Sequence, residues 1–360
     1  MVNAHSHAFQ IELRGVGERP STQGDFWTWR TEMYRLASKH DPDSMRAVGD
    51  RCYGEMARAG YGVVGEFHYV HHQPDGRPYP ERNAMAIALA EAACAQGLQI
   101  VLLPAAYNRA GPGLPPEEGQ RRFCDHDVDE FLARVEGLRS WAASQPGVDI
   151  GVAVHSVRAV PAEWIEAVGE YAERHGLVRH AHASEQRREL AECFEEHRCT
   201  PIELLDRCGF LGPRTSLVHG IHVTDRDIEL ISRSGATVVA CPTTEGNLGD
   251  GHQPALRYRK AGVRYAIGSD SQVRIDPFEE ARELETGARR ERQTRDALLA
   301  QAPGADLWSA LVDGGRASLG ITGARPEIEL DLEHPDLAGI APDDILLAVA
   351  TCASAGVVHR

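Results

Sequence analysis

Short apolar runs rich in β-branched residues alternate along this chain with longer segments whose apolar residues recur at helical spacing. The apolar runs predict a first strand that ends near His5 and seven more at 62–67, 98–107, 148–157, 178–183, 216–221, 237–241 and 263–269. The amphipathic segments predict helices, for example over 44–58, 82–96, 128–143 and 162–174. Strand followed by helix, repeated eight times, predicts an α/β fold: a parallel (β/α)8 barrel.

The regular alternation weakens after Gly320. We therefore expect a barrel domain over residues 1–320 and a separate segment over 321–360. Within that segment, residues 328–332 form a candidate strand and residues 343–350 are ambiguous. A chain of 360 residues could hold two domains, but a single large α/β barrel also has this length.

The composition is that of an ordinary globular protein, with 42% hydrophobic and 25% charged residues. The formal net charge of −15 repels phosphate backbones, so nucleic acid is not an expected partner. There is no run of about 18 apolar residues and no basic-then-apolar leader, so we expect neither a membrane span nor a secretory signal. The 8 cysteines are scattered, which indicates reduced thiols in a cytoplasmic protein.

Closely spaced histidines are the first candidates for chemistry. His5 and His7 are two residues apart, so in a strand both side chains project from one face and can reach one metal ion. His180 and His182 share a face in the same way, and their spacing alone does not choose between them. The position of His182 nearer the end of its strand favours it as a third ligand, because barrels gather their sites at the carboxyl ends of strands.

Later strands add further candidates. Of the two histidines after the sixth strand, His219 is favoured over His222 because it directly follows apolar residues. Asp270 closes the eighth strand, and Glu185 lies three residues after His182. Three imidazoles and a carboxylate leave one position on a divalent ion for water, whose pKa the ion lowers from about 15.7 towards 7. Asp270 can take a proton from that water, and His219 can orient it or stabilise developing charge.

Seven stretches of the chain carry a more specific resemblance. They lie at 3–10, 26–30, 65–72, 118–123, 155–160, 241–251 and 268–271. Together with the order HxH, His, His, Asp, these stretches resemble the amidohydrolase superfamily. More narrowly, they resemble its deaminating branch with one metal, and within that branch the formimidoylglutamate deiminase family.

The resemblance implies a zinc-dependent hydrolase of histidine degradation, which converts N-formimino-L-glutamate and water to N-formyl-L-glutamate and ammonia. The zinc ligands of that family correspond to His5, His7, His182 and Asp270. Its catalytic carboxylate corresponds to Glu185, and its second catalytic histidine corresponds to His219. The formimino group is a cationic amidine, which suits Glu185 as a charge partner and proton shuttle, and Gln10 can supply an amide contact. Iron or manganese also fits such a donor set.

The other end of that substrate carries two carboxylates, which call for cations and hydroxyl groups. Arg158 and Tyr69 match best, with Arg30 and His155 as helpers. An arginine at the end of a barrel strand is unusual, which favours a ligand contact over a salt bridge for Arg158. Arg30 follows two tryptophans and could equally stack on them.

The run of histidines after the second strand has two interpretations. His68, His71 and His72 could form a second metal site. Because the family uses one metal, we expect instead a loop that packs over the substrate. No role is assigned to these three residues or to His222.

Family members begin some tens of residues earlier than this chain and continue beyond its end. We therefore expect an accessory β-sandwich that is largely missing, of which the segment 321–360 retains part, and a first barrel strand that is mostly absent. A missing barrel strand leaves unpaired backbone groups on its neighbours and frays the site.

Two alternatives to this function remain open. A related deaminase could act on an aminopurine such as guanine, in a pocket that uses aromatic stacking and amide contacts rather than Arg158 and Tyr69. Alternatively, the chain is incomplete and inactive, and binds metal weakly or persists only within an oligomer. The family commonly forms homodimers, so a homodimer is also expected.

Overall fold

The computed structural model describes residues 1–19, 26–295, 297–301, 304–323 and 327–359. It shows the predicted barrel, in which parallel strands follow one another in chain order around the sheet. The eight strands are β1 (Val2–Ser6), β2 (Val63–His68), β3 (Gln99–Ala106), β4 (Val148–Ile150 and Val152–Ser156), β5 (Arg179–Ala183), β6 (Thr215–His219), β7 (Thr237–Ala240) and β8 (Arg264–Ile267). Sequence periodicity therefore located every strand of the barrel.

Helices connect the strands and surround them. They are α1 (Phe26–Ala37), α2 (Pro42–Arg58), α3 (Ala84–Ala95), α4 (Val128–Ala142), α5 (Ala162–His175), α6 (Arg187–His197), α7 (Pro201–Arg207), α8 (Asp225–Ser234), α9 (Pro242–Leu248), α10 (Ala255–Lys260), α11 (Pro277–Arg292), α12 (Leu298–Gln301), α13 (Gly304–Leu319) and α14 (Ile345–Thr351). α2 begins at Pro42 rather than at 44 because Asp41 caps it and accepts a hydrogen bond from the Ser44 N–H at 2.8 Å.

The barrel closes between its first and last strands. β1 pairs in parallel with β2 along one side, and on the other side a parallel bridge joins Ser6 to Asp270. The Asp270 N–H donates to the His5 carbonyl at 3.1 Å, and the His7 N–H donates to the Asp270 carbonyl at 3.0 Å. All residues of β1 are buried. The expectation that the first strand is mostly absent is therefore wrong, because β1 is formed and hydrogen-bonded on both sides.

A chain of buried polar side chains strengthens the same seam. Asn3 Nδ2 donates to Ser269 Oγ at 2.7 Å, and that hydroxyl donates to Gln272 Oε1 at 2.8 Å. Gln272 Nε2 then donates to Ser6 Oγ at 2.9 Å, and Ser6 Oγ donates to Glu66 Oε2 at 2.7 Å. Each group in the chain has a partner, so the network links β1, β2 and the segment after β8 without leaving these buried donors unsatisfied.

Helix α13 packs across β8 and β1. A Cβ atom at Gly314 would lie only 1.5 Å from the Tyr265 carbonyl oxygen, so the helix can approach β8 this closely only with glycine at that position. The helix ends with Leu319, which packs in an apolar cluster with Val2 and Val63 at the start of β1 and β2. α13 thereby supports the two strands whose ends carry the candidate ligands.

Residues 327–359 form irregular structure and one short helix rather than a sheet. The candidate strand at 328–332 is reduced to a single antiparallel bridge between Leu330 and Val358, and the ambiguous stretch contains α14. Leu337 and Val357 join the same hydrophobic core as the helices around β2. The division into a barrel at 1–320 and a partial accessory domain at 321–360 stays a prediction.

Two sequence expectations about the environment concern the whole chain. Among the described residues, no helix is long and apolar enough to cross a membrane. All eight cysteines are free thiols. The absence of disulfides agrees with the reduced thiols that the scattered cysteines predict.

Candidate active site

Four candidate ligands converge at the carboxyl ends of β1, β5 and β8. The Nε2 atoms of His5, His7 and His182 lie 3.1 to 3.3 Å from one another. Asp270 Oδ1 lies 3.5 Å from His5 Nε2 and 3.4 Å from His7 Nε2. A tetrahedral ion with metal–nitrogen distances of about 2.1 Å holds its ligand atoms roughly 3.4 Å apart. The spacing of these four side chains therefore fits one divalent ion.

Hydrogen bonds on the far side of two rings fix the direction of their lone pairs. His7 Nδ1 donates to the Phe67 carbonyl at 2.7 Å, and His182 Nδ1 donates to the His155 carbonyl at 2.9 Å. Both rings then present an unprotonated Nε2 to the centre of the cluster. Burial lowers the pKa of His5, His7 and His182, which favours the neutral imidazole that a metal ligand requires.

His180 occupies a different place from the cluster. Its Nε2 bonds to the Ser318 carbonyl in α13 at 2.9 Å. Although His180 and His182 share a face of β5, they are separated along the barrel axis by two residues. Only His182 belongs to the described group of donors that could hold the ion with His5.

His219 faces three carboxylates beside the ligand cluster. Its Nε2 lies 3.7 Å from Glu185 Oε1 and 3.8 Å from Asp270 Oδ2, and its Nδ1 lies 3.2 Å from Glu245 Oε1. Burial on its own lowers the pKa of His219, but the surrounding carboxylates, Glu185 first among them, raise that pKa to about 10. The ring is thus held with Nδ1–H towards Glu245 and Nε2 towards the two candidate catalytic carboxylates.

Glu245 is a candidate functional residue that the sequence did not indicate. It is buried in the first turn of α9, where its Oε1 also accepts hydrogen bonds from the Cys241 N–H at 2.9 Å and Gln253 Nε2 at 3.0 Å. An acidic residue in the first turn of a helix is ordinarily a favourable surface charge. The sequence does give one signal for Glu245, because it lies within 241–251, a stretch that carries the family resemblance.

Two site residues adopt strained backbone conformations. His219 has a φ of 72° and Asp270 a φ of 46°, in the left-handed region that non-glycine residues rarely occupy. Such conformations cost of the order of 1–3 kcal/mol each and concentrate at functional sites. Here they turn each side chain inward where its strand ends.

Glu185 lies in the mouth of the barrel as expected. Burial raises the pKa of its carboxyl group, which favours the protonated form. The Glu185 N–H donates to Glu189 Oε2 at 3.0 Å, so the first turn of α6 fixes the backbone that carries it. A buried carboxyl group with a raised pKa beside the cluster is suited to proton transfer.

A pocket lies over the cluster. Every sequence-predicted site residue except His5 lines it: His7, Gln10, Arg30, Tyr69, His155, Arg158, His182, Glu185, His219 and Asp270. α1 contributes the aromatic side chains of Phe26, Trp29 and Tyr34. The candidate binding residues and the candidate catalytic residues therefore share one cavity.

Two arginines of the pocket stack on one ring. The guanidinium carbon of Arg30 lies 4.4 Å from the centroid of the Trp27 ring, and that of Arg158 lies 5.6 Å from it. Arg158 is buried, and its Nε has no hydrogen-bond partner among the described residues. Arg30 thus both stacks on a tryptophan and lines the pocket, whereas Arg158 keeps a free buried donor.

Tyr69 and Gln10 form a polar pair at the pocket wall. Gln10 Nε2 donates to the Tyr69 hydroxyl at 2.8 Å. Within the described part of the chain, Gln10 Oε1 has no hydrogen-bond partner. The ring of His155 packs 5.3 Å from that of Tyr69. These side chains are packed in place, and the pair retains an unused amide oxygen for a ligand.

The expectation that the run after β2 forms a loop over the substrate is wrong for its histidines. His71 Nε2 bonds to the Ala105 carbonyl at 3.0 Å. His72 Nε2 lies 3.3 Å from Asp125 Oδ1, and Asp125 also forms a buried ion pair with Arg134. His68 is buried as well. Of this run, Tyr69 is the residue that lines the pocket, and no metal-ligand group of the described residues contains the three histidines.

Comparison with known proteins agrees with this geometry. The model of the amidohydrolase family matches residues 1–306. The chain is 36% identical to formimidoylglutamate deiminase from Pseudomonas aeruginosa, over 96% of this chain and 78% of that protein. It is 28% identical to a 5-methylthioadenosine/S-adenosylhomocysteine deaminase from Halobacterium salinarum, over 91% and 69%. An amidohydrolase structure from Brucella melitensis superposes with a TM-score of 0.90 at 34% identity, over 99% and 83%.

A closed parallel barrel with imidazoles and a carboxylate gathered at its carboxyl ends defines a metal-dependent hydrolase of the barrel class. The chain belongs to the amidohydrolase family. The family and the deaminase relatives together make it a hydrolase that acts on carbon–nitrogen bonds.

Proposed function

We propose that the protein is a zinc-dependent deiminase that hydrolyses N-formimino-L-glutamate to N-formyl-L-glutamate and ammonia. The observation that carries this proposal is that carboxylates and arginines line one pocket. Asp270 belongs to the ligand cluster and Glu185 lies beside it, and Arg158 and Arg30 line the same cavity among aromatic residues. A substrate with a cationic amidine at one end and two carboxylates at the other matches that distribution.

The cluster end of the pocket would hold the ion through His5, His7, His182 and Asp270. When bound there, a divalent ion supplies Lewis-acid activation of water. Asp270 then accepts a proton from the attacking water, while His219 orients this water and stabilises the charge that develops. A carbon–oxygen bond forms at the amidine carbon as the proton moves.

Glu185 handles the leaving group. Its carboxyl group binds the cationic amidine and passes a proton to the terminal nitrogen. As the bond between the amidine carbon and that nitrogen breaks, the new hydroxyl group loses its proton to solvent and becomes the formyl carbonyl, and the nitrogen leaves as ammonia. The proton held by Asp270 restores that of Glu185. Gln10 contacts the same group through its unused amide oxygen, and the remaining product is the N-formyl amino acid.

The opposite end of the pocket binds the two carboxylates. Arg158 is buried and its Nε–H has no partner among the described residues, so a carboxylate there gains a charge-assisted hydrogen bond in a site of low dielectric. Tyr69, Arg30 and His155 complete this part of the pocket. Binding at this end holds the amidine over the cluster and contributes most to affinity.

A purine deaminase is the second candidate function. It is supported by the aromatic lining of Trp29, Tyr34 and Tyr107 and by the Halobacterium relative, whose name specifies adenosine derivatives. Such a ligand offers no carboxylate to the buried guanidinium group of Arg158, which disfavours it.

The deciding experiment measures ammonia release by the purified, zinc-loaded protein from N-formimino-L-glutamate, guanine and 5′-methylthioadenosine. We expect kcat/KM for the first substrate to exceed the other two by at least about 10²-fold, because a purine leaves buried charges unpaired. A faster reaction with a purine overturns the proposal in favour of the second candidate. If the folded protein neither binds metal nor releases ammonia from any of the three substrates, the alternative of an inactive chain is supported.

Replacing Arg158 with methionine is expected to raise KM by roughly 10- to 100-fold, the equivalent of one hydrogen bond to a charged group, with a smaller change in kcat. Methionine keeps the apolar stem against Trp27 but removes the charge. Steady-state kinetics measure both constants. Arg188→Met is the matched control, since Arg188 also stacks on Trp27, at 4.2 Å, but does not line the pocket. An unchanged KM in Arg158→Met contradicts the role of this arginine.

Replacing Glu245 with glutamine is expected to lower kcat by roughly 10- to 100-fold with little change in KM, because the charge that supports His219 is lost. The glutamine oxygen can still accept a hydrogen bond, so the fold is preserved. Glu229→Gln, which removes an exposed charge on α8, is the control. Equal activity of the two variants would show that Glu245 does not act through His219.

The remaining attributes belong to the same proposal. We assign zinc because imidazole and carboxylate ligands in tetrahedral arrangement suit it, although iron or manganese fits the same donors. The reaction places the enzyme in histidine degradation in the cytoplasm. A homodimer stays a prediction, which the mass of the protein in solution tests.

A further inference from the structure

The two carboxylate oxygens of Asp270 face different groups of donor atoms. Oδ1 lies within 3.5 Å of the His5 and His7 Nε2 atoms, on the side of the ligand cluster. Oδ2 lies 3.8 Å from His219 Nε2, on the other side. The two oxygens of one carboxylate thus lie near different donor atoms, so Asp270 can contribute one oxygen to each of two positions.

A third donor stands beside the second position. Cys241 directly follows β7, and its Sγ, a nitrogen of His219 and an oxygen of Asp270 all lie within 4.8 Å of one another. Cys241 is fully buried, in an apolar cluster with Ala4, Val218, Val239 and Ala266. The thiol therefore forms the floor of the site, while His219 and Asp270 reach the pocket above it.

We propose that Cys241, His219 and Asp270 form a second metal site that takes a soft divalent cation, zinc or cadmium, and inhibits the enzyme when occupied. Three protein ligands of the types Cys, His and Asp, with a water molecule in the fourth position, are an ordinary coordination sphere for zinc. As the ion binds, the S–H bond of Cys241 and the N–H bond that faces the site on protonated His219 are replaced by bonds to the metal, and both protons are released to solvent.

Inhibition follows from the groups that the second ion occupies. The proposed function gives the orientation of water to His219 and the transfer of its proton to Asp270. Coordination removes both from the reaction. The thiolate also makes the site selective, because thiolate ligands favour zinc over manganese, which prefers oxygen donors.

The test begins with protein carrying one equivalent of zinc, which is titrated with zinc, cadmium or manganese. We expect a second equivalent of zinc or cadmium to bind and ammonia release to fall in parallel, whereas manganese has neither effect. Bound cadmium should give the near-ultraviolet absorption of a cadmium–thiolate bond, a readout that needs no substrate.

Cys241→Ala should bind the second equivalent of zinc or cadmium at least about tenfold more weakly, because losing even a residue that only orients a metal ligand costs that much affinity. This variant should also lose the cadmium–thiolate band. Cys241→Ser, which keeps the volume of the side chain, serves if the alanine variant is unstable. Cys199→Ala removes another buried thiol outside both groups of donors and is the matched control. A stoichiometry of one ion, or zinc inhibition and a cadmium band that persist in both Cys241 variants, overturns the proposal. Because the band is independent of turnover, the second site can fail or stand whatever the substrate is.

Discussion

Replacing Asp270 with asparagine is expected to lower ammonia release from N-formimino-L-glutamate by about 10³-fold or more. The substitution keeps the size of the side chain but removes the negative charge that both completes the cluster and accepts the proton of the water. Because Asp270 Oδ1 lies 3.5 Å from His5 Nε2 and 3.4 Å from His7 Nε2, the three neutral imidazoles would hold a divalent ion without a counter-charge. Bound metal should therefore fall together with activity, as elemental analysis and an ammonia assay measure.

The fold of this variant must be compared with that of a harmless one. Asp225→Asn, at the fully exposed start of α8, makes the same chemical change without touching the pocket and should retain full activity and metal. Circular dichroism establishes that both variants are folded. If Asp270→Asn keeps more than about a tenth of the activity, the aspartate is neither the base nor a required ligand.

The candidate ligands could be predicted because their positions follow from strand geometry alone. In an extended strand, residues two apart share a face, which puts His5 beside His7. In a parallel barrel the carboxyl ends of all strands meet, which brings His182 and Asp270 to the same place from opposite parts of the chain. What spacing left open was the choice between His180 and His182. The contact of His180 with Ser318 of α13 decides it, and no pattern near β5 announces that contact.

The histidines after β2 show why the rest could not be predicted. Their environment is set by residues distant in sequence: Asp125 pairs with both His72 and Arg134, and the Ala105 carbonyl of β3 accepts from His71. A satisfied core histidine and a ligand look alike in a sequence, because the distinction lies in the partner. The same holds for Glu245, whose position in the first turn of α9 resembles a surface charge until His219 is seen beside it.

The first strand differs from the sequence prediction for another reason. The sequence offers few residues before His5 that could support a strand there. In the structure that support comes from residues late in the sequence. Backbone hydrogen bonds join β1 to Asp270, and helix α13 packs against β1. Closure of a barrel makes the last strand a neighbour of the first, and this long-range pairing does not depend on chain that precedes it.

Replacing Glu185 with glutamine is expected to lower kcat by roughly 10²- to 10⁴-fold, the range of a positioned acid or base, while zinc content stays unchanged. Glu185 lies 3.7 Å from His219 Nε2 and outside the group of donors that could hold the ion, so its loss should stop proton transfer without releasing metal. This combination separates Glu185 from Asp270, whose replacement removes metal and activity together. Elemental analysis and steady-state kinetics on the same sample measure the two properties.

Two further variants define what Glu185 contributes. Glu185→Asp keeps an ionisable carboxyl group and should recover part of the lost rate, because a proton can still be exchanged over a slightly longer distance. Glu192→Gln on α6, the helix that follows Glu185, removes one charge from the surface pair with Arg188 and should leave kcat unchanged. A glutamine variant as active as the Glu192 control means that the proton of the leaving nitrogen travels by another route. His219, which lies within 4 Å of both Glu185 and Asp270, is then the group that has to carry it.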